Sequence, residues 1–364
     1  MTTGAQAENS PPRKILIVLL GAIGDVVRAL PLLGRLRLAF PKAHIAWAVE
    51  PKSAPILEQH PWLDELIIYD RRAPWSFLGF LRKIRRGGFD LTLDLQRHLK
   101  SGIISSISRA PERIGFAAAN SKEFNHRFAT RHIEPQPSMR LKLMQYQAFG
   151  DALGLAPVPI AFGLALPPEE HERANALIAH APSPRLAVIL GSSWSSRIYF
   201  PEMIAAAIQD LARPKDGKAF HPILLAGPGE SALADQVARE LGQLNVTNLA
   251  GRTGLRDLIG IFGECDAAFG PDSGPMHIAA AVGCPVVSLW GATAPERSAP
   301  WGNDRFALRG EIPCHPCYLR DCPVGRECMR RIAPGEVARM VRWAAAHRSA
   351  EKGFHLQRAL VAAR

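Results

Sequence analysis

Short apolar runs alternate along this chain with longer segments of helical periodicity. In the first half, four apolar runs predict buried strands at residues 14–20, 44–49, 65–69 and 91–95. The segments between them predict helices, the first of which ends near Phe40 before Pro41. A β-α-β alternation of this kind predicts a parallel sheet covered by helices.

The same alternation begins again in the second half, at residues 186–190 and 222–226, and a last amphipathic helix is predicted at 334–347. Residues 157–184 contain six prolines and are typical of a connection between domains. A chain of 364 residues suits two domains better than one. We therefore predict an N-terminal tail at 1–12, domains at 13–170 and 171–348, and a C-terminal tail at 349–364.

The stretch GPDSGPMHIAAAVGCPVVSLWG, residues 270–291, is the most informative part of the sequence. It follows a short apolar run and predicts a tight turn, a helix at 275–282 and a buried strand at 286–290. Ser273 is a plausible N-cap, and Pro275 suits the first helical turn.

The start of this predicted helix would be a site for an anion. Its free backbone N–H groups and the positive end of its dipole would point to the edge of the sheet, where a diphosphate could bind. Asp272 and His277 would flank the same spot. Alternatively, Ser273 is only a helix cap and His277 only a surface histidine.

The first predicted strand ends in another distinctive turn, Gly21-Ala22-Ile23-Gly24-Asp25. It differs from the dinucleotide fingerprint G-x-G-x-x-G because an acidic residue ends it. A carboxylate here would repel a phosphate, but it would suit a base that removes a proton from a substrate hydroxyl. The alternative is that Asp25 is a helix N-cap.

The charge balance indicates anionic partners. The chain has 44 Lys and Arg against 33 Asp and Glu, a net charge of +11, which would suit nucleic acid, an acidic membrane face or a phosphorylated substrate. No nucleic-acid recognition motif is present, so nucleic acid is not expected. Apolar residues 75–81 run into basic residues 82–86, a pattern that suits an anionic bilayer, or else a helix packed on the core with a solvated basic end.

Residues 13–24 superficially resemble a signal peptide, with a basic flank and an apolar centre. Asp25 and Arg28 interrupt the apolar character directly after this run, and no cleavage site of small residues appears, so a first strand explains the run better. No apolar run approaches the ~20 residues of a membrane-spanning helix. We expect a cytoplasmic protein, peripheral at a membrane at most.

Four of the six cysteines have the spacing C-x2-C-x4-C-x5-C, which could form a tetrahedral zinc site. The spacing is tighter than is usual for a zinc knuckle, and three prolines already stiffen the segment. We therefore expect no metal and reduced thiols that pack a loop. The four residues are Cys314, Cys317, Cys322 and Cys328.

Together, G-x-x-G-D near the start and D-S-G-x-x-H in residues 272–277 resemble the heptosyltransferases of glycosyltransferase family 9, which make the inner core of lipopolysaccharide. The order and separation of the two motifs make this resemblance specific. It extends at lower detail over about residues 13–348 and includes Asp94-Leu95-Gln96, Gly115-Phe116 and Cys328-Met329. The resemblance implies an α/β chain of GT-B fold, with two Rossmann-like doubly wound domains facing across a cleft. The N-terminal domain would bind the acceptor and the C-terminal domain the nucleotide sugar.

The implied activity is inverting transfer of heptose from ADP-heptose to the inner core of lipopolysaccharide, on an acceptor of the lipid A–Kdo type. Its partners would be an ADP-sugar and an anionic lipid-linked glycan, with peripheral contact at the cytoplasmic face of the inner membrane. No cofactor is expected, and no metal-binding D-x-D lies near the predicted diphosphate site. The alternatives are another nucleotide sugar or glycan acceptor, or a catalytically silent nucleotide-sugar-binding protein.

The resemblance also implies roles for single residues. Asp25 matches the proposed general base. Arg197 falls where the family usually has a lysine, but the family's K-x-W-P is one residue longer here, at 197–201. The implied donor contacts are Ser192, Ser193, Arg197, Glu230, Thr253, Asp272, Ser273, Gly274 and His277. Acceptor phosphates or carboxylates would meet Arg97, His98 and Lys100, which follow the fourth strand.

Overall fold

The computed structural model describes residues 11–214 and 219–347. Apart from Pro11 and Pro12, the predicted tails lie outside the described residues. By its contacts the described chain divides into two units. The first unit comprises residues up to 21, 31–136 and 146–159, and the second comprises 22–30, 137–145 and everything from 160 onward. The division into acceptor-binding and donor-binding domains stays a prediction.

The first unit contains a parallel sheet of six strands, and its central strands are nearly continuous apolar runs that can be buried on both faces. The sheet order is β3-β2-β1-β4-β5-β6. The strands are β1 (Lys14–Val18), β2 (His44–Val49), β3 (Glu65–Ile68), β4 (Leu91–Asp94), β5 (Glu112–Gly115) and β6 (Arg131–His132).

Four helices belong to the N-terminal half of the chain. Phe80 and Ile84 pack in the core of the first unit with Leu16 of β1 and Ala46 of β2. The helices are α1 (Ile23–Ala39), α2 (Phe77–Arg86), α3 (Leu99–Ser108) and α4 (Lys142–Ala152).

The second unit repeats this topology with a parallel sheet in the order β12-β11-β10-β7-β8-β9. Its strands are β7 (Arg185–Ile189), β8 (His221–Leu225), β9 (Thr247–Asn248), β10 (Ala267–Pro271), β11 (Val286–Trp290) and β12 (Ala307–Arg309). Its helices are α5 (Pro168–Leu177), α6 (Pro201–Ala212), α7 (Ser231–Leu241), α8 (Leu255–Glu264), α9 (Gly274–Ala281), α10 (Pro295–Ser298), α11 (Glu327–Arg330) and α12 (Pro334–Ala346).

The strands expected from apolar runs are confirmed, with ends that differ from the predicted ones by at most two residues. The sequence did not predict β5, β6, β9 and β12, which have two to four residues and little apolar character. Such short strands form by backbone pairing with a neighbouring strand, so no hydrophobic pattern predicts them. The proline-rich stretch 157–184 contains α5.

In both sheets the strand order reverses at one place, between β1 and β4 and between β7 and β10. Ligands of doubly wound sheets bind beyond the carboxyl ends of the strands at this point. Beyond β7 and β10, the Ser192 hydroxyl donates a hydrogen bond of 2.8 Å to the carbonyl of Asp272. Gly270 in β10 permits close pairing, since a Cβ there would lie 2.5 Å from the Ile189 carbonyl oxygen. Among the described helices, none has the length and apolar character to cross a bilayer.

Candidate active site

The site begins at the N-terminus of α9. Ser273 occupies the N-cap position with extended backbone, as predicted, but its side chain makes no capping hydrogen bond. Its hydroxyl oxygen is buried and, within the described structure, has no hydrogen-bond partner. A buried hydroxyl of this kind is costly unless a ligand satisfies it.

Asp272 is buried at the end of β10 and is held by two side chains. Its Oδ2 lies 3.0 Å from Nη1 of Arg197 and accepts a 2.8 Å hydrogen bond from the Thr293 hydroxyl. The Arg197 guanidinium lies over the Trp194 ring, 3.8 Å from its centroid. Burial lowers the pKa of Arg197, and Asp272 partly opposes that change. Arg197 is thus fixed beside the start of α9.

His277 is buried in α9 and contacts Arg28, with 2.7 Å between Nε2 and Nη1. A guanidinium only donates hydrogen bonds, so Nε2 accepts and the imidazole is neutral. Burial and the Arg28 charge lower the pKa of His277 well below its ordinary value. The alternative of a surface histidine is therefore wrong, because His277 orients Arg28 inside the protein.

Asp25 lies in the first turn of α1, which begins at Ile23, so the alternative of an N-cap is wrong. Its Oδ1 lies 2.7 Å from Nη2 of Arg28 and 2.9 Å from Nζ of Lys142. Burial tends to raise the pKa of Asp25, but Lys142 and Arg28 outweigh burial and hold that pKa well below its ordinary range. Asp25 is an ionised carboxylate at neutral pH.

Two glycines allow the starts of α1 and α9 to meet within the second unit. A Cβ on Gly24 would lie 2.7 Å from Cδ2 of His277, and a Cβ on Gly274 would lie 2.9 Å from Cβ of Ile23. The motifs G-x-x-G-D and D-S-G-x-x-H each supply one of these glycines. Two positive helix ends therefore converge on one place, which favours a bound anion.

The side chains around these helix ends carry a surplus of positive charge. Among the described side chains that interact here, two are anionic, Asp25 and Asp272, and four are cationic, a difference of two positive charges: Arg28, Lys142, Arg197 and Arg297. Arg297 acts on the pKa of Lys142, and Arg28 and Asp25 act on that of Arg197, so the charges lie within electrostatic range. Nε of Arg197, Nε of Arg297 and the hydroxyl of Tyr318 are also buried and have no hydrogen-bond partner within the described residues.

The other residues predicted to contact the donor differ in their positions and in their exposure. Glu230 lies beside the end of β7, where a Cβ on Gly191 would be 1.9 Å from its carboxylate, and it accepts a 2.7 Å hydrogen bond from the Gly227 backbone. Ser193 is exposed, and Thr253 precedes the N-cap of α8. Neither of these two side chains makes a hydrogen bond among the residues that are described.

The predicted acceptor residues lie in the first unit, around the start of α3. His98 is the N-cap residue of α3, Arg97 precedes it and Lys100 lies in the first turn. Each already has an intramolecular partner, so an acceptor would compete for it. The partners are the Phe116 ring for Arg97 at 4.2 Å, the Glu123 carboxylate for His98 at 3.1 Å and the Glu50 carboxylate for Lys100 at 3.7 Å.

Asp94, at the end of β4, was noted in the sequence only as part of a family pattern. It is buried and accepts hydrogen bonds from the Ser101 hydroxyl at 3.1 Å and the Asn125 amide at 2.8 Å. Burial raises the pKa of Asp94 to about 7, against the opposing effect of these hydrogen bonds. This network fixes the start of α3, where the predicted acceptor residues lie.

The four clustered cysteines carry free thiols and line one small cavity together with His315. In the described part of the chain, no three His, Cys, Asp or Glu residues are arranged to hold a metal ion. The segment packs on β11 through Gly291, where a Cβ would lie 2.9 Å from Sγ of Cys328. It also accepts a 2.6 Å hydrogen bond from the Ser196 hydroxyl at the Leu319 carbonyl, next to Arg197.

The site predicted from the sequence lacks four residues of this group: Arg28, Lys142, Arg297 and Tyr318. Arg28 had a usable signal, since it follows Asp25 by three positions on one helix and therefore shares its face. Lys142 had none, because 117 residues separate it from Asp25. Tyr318 lies within the cysteine segment, which was considered only for its thiols.

Comparison with known proteins identifies the family of this chain. The model of glycosyltransferase family 9 (heptosyltransferase) matches residues 77–327. The lipopolysaccharide core heptosyltransferase OpsX of Haemophilus influenzae is 27% identical over 296 residues, which cover 80% of this chain and 83% of that protein.

Two solved structures share the fold. A family 9 glycosyl transferase of Veillonella parvula has a TM-score of 0.78 at 19% identity and covers 92% of this chain and 97% of its own. The ADP-heptose lps heptosyltransferase II of E. coli has a TM-score of 0.71 at 18% identity, with coverage of 93% and 100%. The family match and the two doubly wound units show that this chain belongs to glycosyltransferase family 9, has the GT-B fold and is a glycosyltransferase.

Proposed function

We propose that this enzyme transfers heptose from ADP-heptose to the inner core of lipopolysaccharide, with inversion at the anomeric carbon. One observation carries the proposal: an ionised carboxylate, Asp25, lies where two helix N-termini and four cationic side chains converge. The names of the relatives, a lipopolysaccharide core heptosyltransferase and an ADP-heptose heptosyltransferase, supply the substrate classes.

The donor diphosphate would bind at the start of α9. Its two negative charges match the surplus of two positive charges around this point. The unsatisfied Ser273 hydroxyl and Nε of Arg197 would donate to phosphate oxygens. Ser192, Ser193 and Gly274 would line the same anion site, with Glu230 near the ribose and the backbone at Thr253 near the adenine.

The chemistry then needs a base and a stabilised leaving group. The acceptor hydroxyl oxygen attacks the anomeric carbon and forms the new glycosidic bond, while the bond to the diphosphate oxygen breaks and ADP leaves with its electron pair. Asp25 takes the hydroxyl proton. Attack from the face opposite the leaving group gives inversion, and the helix ends with Arg197 stabilise the negative charge that develops on ADP.

The acceptor would be an anionic, lipid-linked glycan of the lipid A–Kdo type. Arg97, His98 and Lys100 are grouped at the start of α3 and would bind its phosphates or carboxylates. A carbohydrate with such groups is consistent with the net charge of +11.

A peripheral contact with the cytoplasmic face of the inner membrane is part of the proposal. Phe80 and Ile84 bury one face of α2 in the core, yet 81% of Trp75 and 60% of Leu78 are exposed beside its start. Four basic residues follow, at 82, 83, 85 and 86. Aromatic and aliphatic side chains next to a basic cluster suit an anionic bilayer.

The function is tested with purified protein, a lipid A–Kdo acceptor and a panel of ADP- and UDP-sugars. We expect a glycosylated acceptor and free ADP with ADP-heptose, and little product with UDP-sugars. A preference for UDP-sugars would assign another donor to the same fold. Binding of ADP without transfer to any acceptor would favour a silent binding protein.

Membrane contact is tested by sedimentation with vesicles of anionic phosphatidylglycerol or neutral phosphatidylcholine. Wild-type protein should sediment with the anionic vesicles only, and the double variant Trp75→Ser, Leu78→Ser should remain in solution. The matched control Trp301→Ser, Leu38→Ser changes partly exposed residues of the same types elsewhere. Equal loss in both double variants would argue against a specific contact of α2.

A further inference from the structure

Two cations are paired with the proposed base, Asp25. Asp25 accepts from Lys142, the first residue of α4, and from Arg28, one turn further along α1. The exposed fraction of the Lys142 side chain is 25% and that of Asp25 is 19%, so water screens these pairs only partly. A carboxylate held by two cations accepts a proton poorly, because catalysis by a base weakens as its pKa falls.

The same two cations lie at the proposed donor site. Arg28 uses one terminal nitrogen for Asp25 and the other for His277 in the first turns of α9. Lys142 is within electrostatic range of both Arg28 and Arg297. A diphosphate at the start of α9 would therefore compete with Asp25 for Arg28 and Lys142.

We propose that Lys142 and Arg28 are shared between Asp25 and the donor, and that the bound diphosphate draws their charge away and thereby frees Asp25 to accept the acceptor's proton. This inference rests on the function proposed above. Lys142 is a positioning residue in this scheme, since it acts through Asp25. This arrangement couples the two substrates. Without a donor, the two cations keep Asp25 from accepting a proton, so the acceptor hydroxyl is deprotonated only when the donor is bound.

The proposal has a consequence for pH dependence. Asp25 faces Arg28 on its own helix, Lys142 on α4, His277 on α9, Arg297 on α10 and Arg197 beyond β7. When the diphosphate engages the cations, their hold on Asp25 weakens and its pKa rises. Activity lost by protonation of Asp25 should thus begin at a higher pH in the donor complex than in the donor-free enzyme.

Steady-state kinetics with varied ADP-heptose and saturating acceptor test this. The acid limb of kcat/KM for the donor reports the donor-free enzyme, whereas that of kcat reports the donor complex. In wild type we expect the kcat limb to lie at least about one pH unit above the kcat/KM limb, the scale on which one adjacent cation shifts a carboxylate. In Lys142→Gln the kcat/KM limb should move up toward the kcat limb, and Lys142→Arg should restore the separation.

Control measurements distinguish this proposal from a purely structural role of Lys142 and from a failure of the proposed function. Lys42→Gln makes the same change at an exposed turn and should behave as wild type. Coincident acid limbs in an active wild type, or a Lys142→Gln variant that is slower at every pH with unmoved limbs, would overturn the sharing of cations. An absence of ADP binding by wild-type protein in calorimetry would instead refute the donor assignment itself.

Discussion

Arg197 and Asp272 form an ion pair at the end of β10, with 3.0 Å between Nη1 and Oδ2. Both side chains are largely buried, so either one alone would leave a poorly solvated charge. A carboxylate is unexpected beside a proposed phosphate site, because the two negative charges repel each other. It neutralises the arginine while no donor is bound, and it keeps the guanidinium stacked on Trp194.

The first prediction is that ADP stabilises the protein and that Asp272→Ala, His277→Ala abolishes the effect. At an ADP concentration of 100 Kd, the wild type should gain about 2.7 kcal/mol. The double variant loses the groups that orient Arg197 and Arg28, so its melting temperature should not respond to ADP. Thermal shift measurements check this, with the exposed pair Asp235→Ala, His171→Ala as control. Equal ADP shifts in all three proteins would mean that the nucleotide binds elsewhere.

The second prediction is that Asp25→Asn retains its fold and binds ADP but transfers sugar at least ~100-fold more slowly, the usual scale of general-base catalysis. Asparagine has nearly the same shape and can still accept from Arg28 and Lys142, yet it cannot take a proton. Transfer rate, ADP affinity and melting temperature should be measured beside Asp235→Asn, an exposed control on α7. Near-normal transfer would remove Asp25 as the base.

The third prediction concerns close packing of α1 on α9. Gly24→Ala should destabilise the protein by about 1–3 kcal/mol, as expected for overpacking, because its Cβ would lie 2.7 Å from the His277 ring. Gly335→Ala is a matched control, since Gly335 is also the second residue of a helix and its Cβ would meet nothing within 4 Å. That variant should gain about 0.5–1 kcal/mol. Similar melting temperatures for the two variants would show that α1 and α9 tolerate separation.

The fourth prediction follows from the raised pKa of Asp94. Its pKa is about 7 in the folded protein against an ordinary 3.8, so the folded state holds the proton more tightly. The stability that this provides is fully present below pH 3.8 and is lost as pH rises to 7. The asparagine side chain does not ionise, so Asp94→Asn does not lose stability in this way. Its free energy of unfolding relative to wild type should therefore rise between pH 4 and 7. Urea unfolding of both proteins at several pH values measures this difference. The same pH dependence of stability in both proteins would contradict the buried, protonated state of Asp94.

The fifth prediction concerns the cysteine segment, for which we expect loop packing without a metal. Metal analysis of purified protein should find no stoichiometric zinc, and chelation should leave the melting temperature unchanged. About one metal ion per chain, with a lower melting temperature after chelation, would instead identify Cys314, Cys317, Cys322 and Cys328 as ligands.

Much of this fold could be predicted because its strands are buried on both faces. A run such as Val286–Trp290 is apolar throughout except for Ser288 and has the same bounds in sequence and structure. The two motifs are likewise recognisable from sequence, since each places its residues at fixed spacing around the start of one helix.

The remainder depends on contacts between distant residues. Lys142 resembles any lysine at the start of a helix until the fold brings it to Asp25. Asp94 is also ordinary in its sequence context, and its raised pKa arises from burial that no local pattern encodes. Charge networks of this kind are properties of the folded chain, whereas periodicity reports only which face of an element is buried.

The contacts of Gly24 with His277 and of Gly274 with Ile23 tie the two motifs together in evolution. Any larger residue at one position requires a smaller or displaced partner on the other helix, so single substitutions there reduce stability. Among related sequences, residues 24 and 277 should therefore vary together or remain fixed together. Two short motifs that lie far apart in the chain should thus behave as one inherited unit, and recombination between relatives should preserve them as a pair.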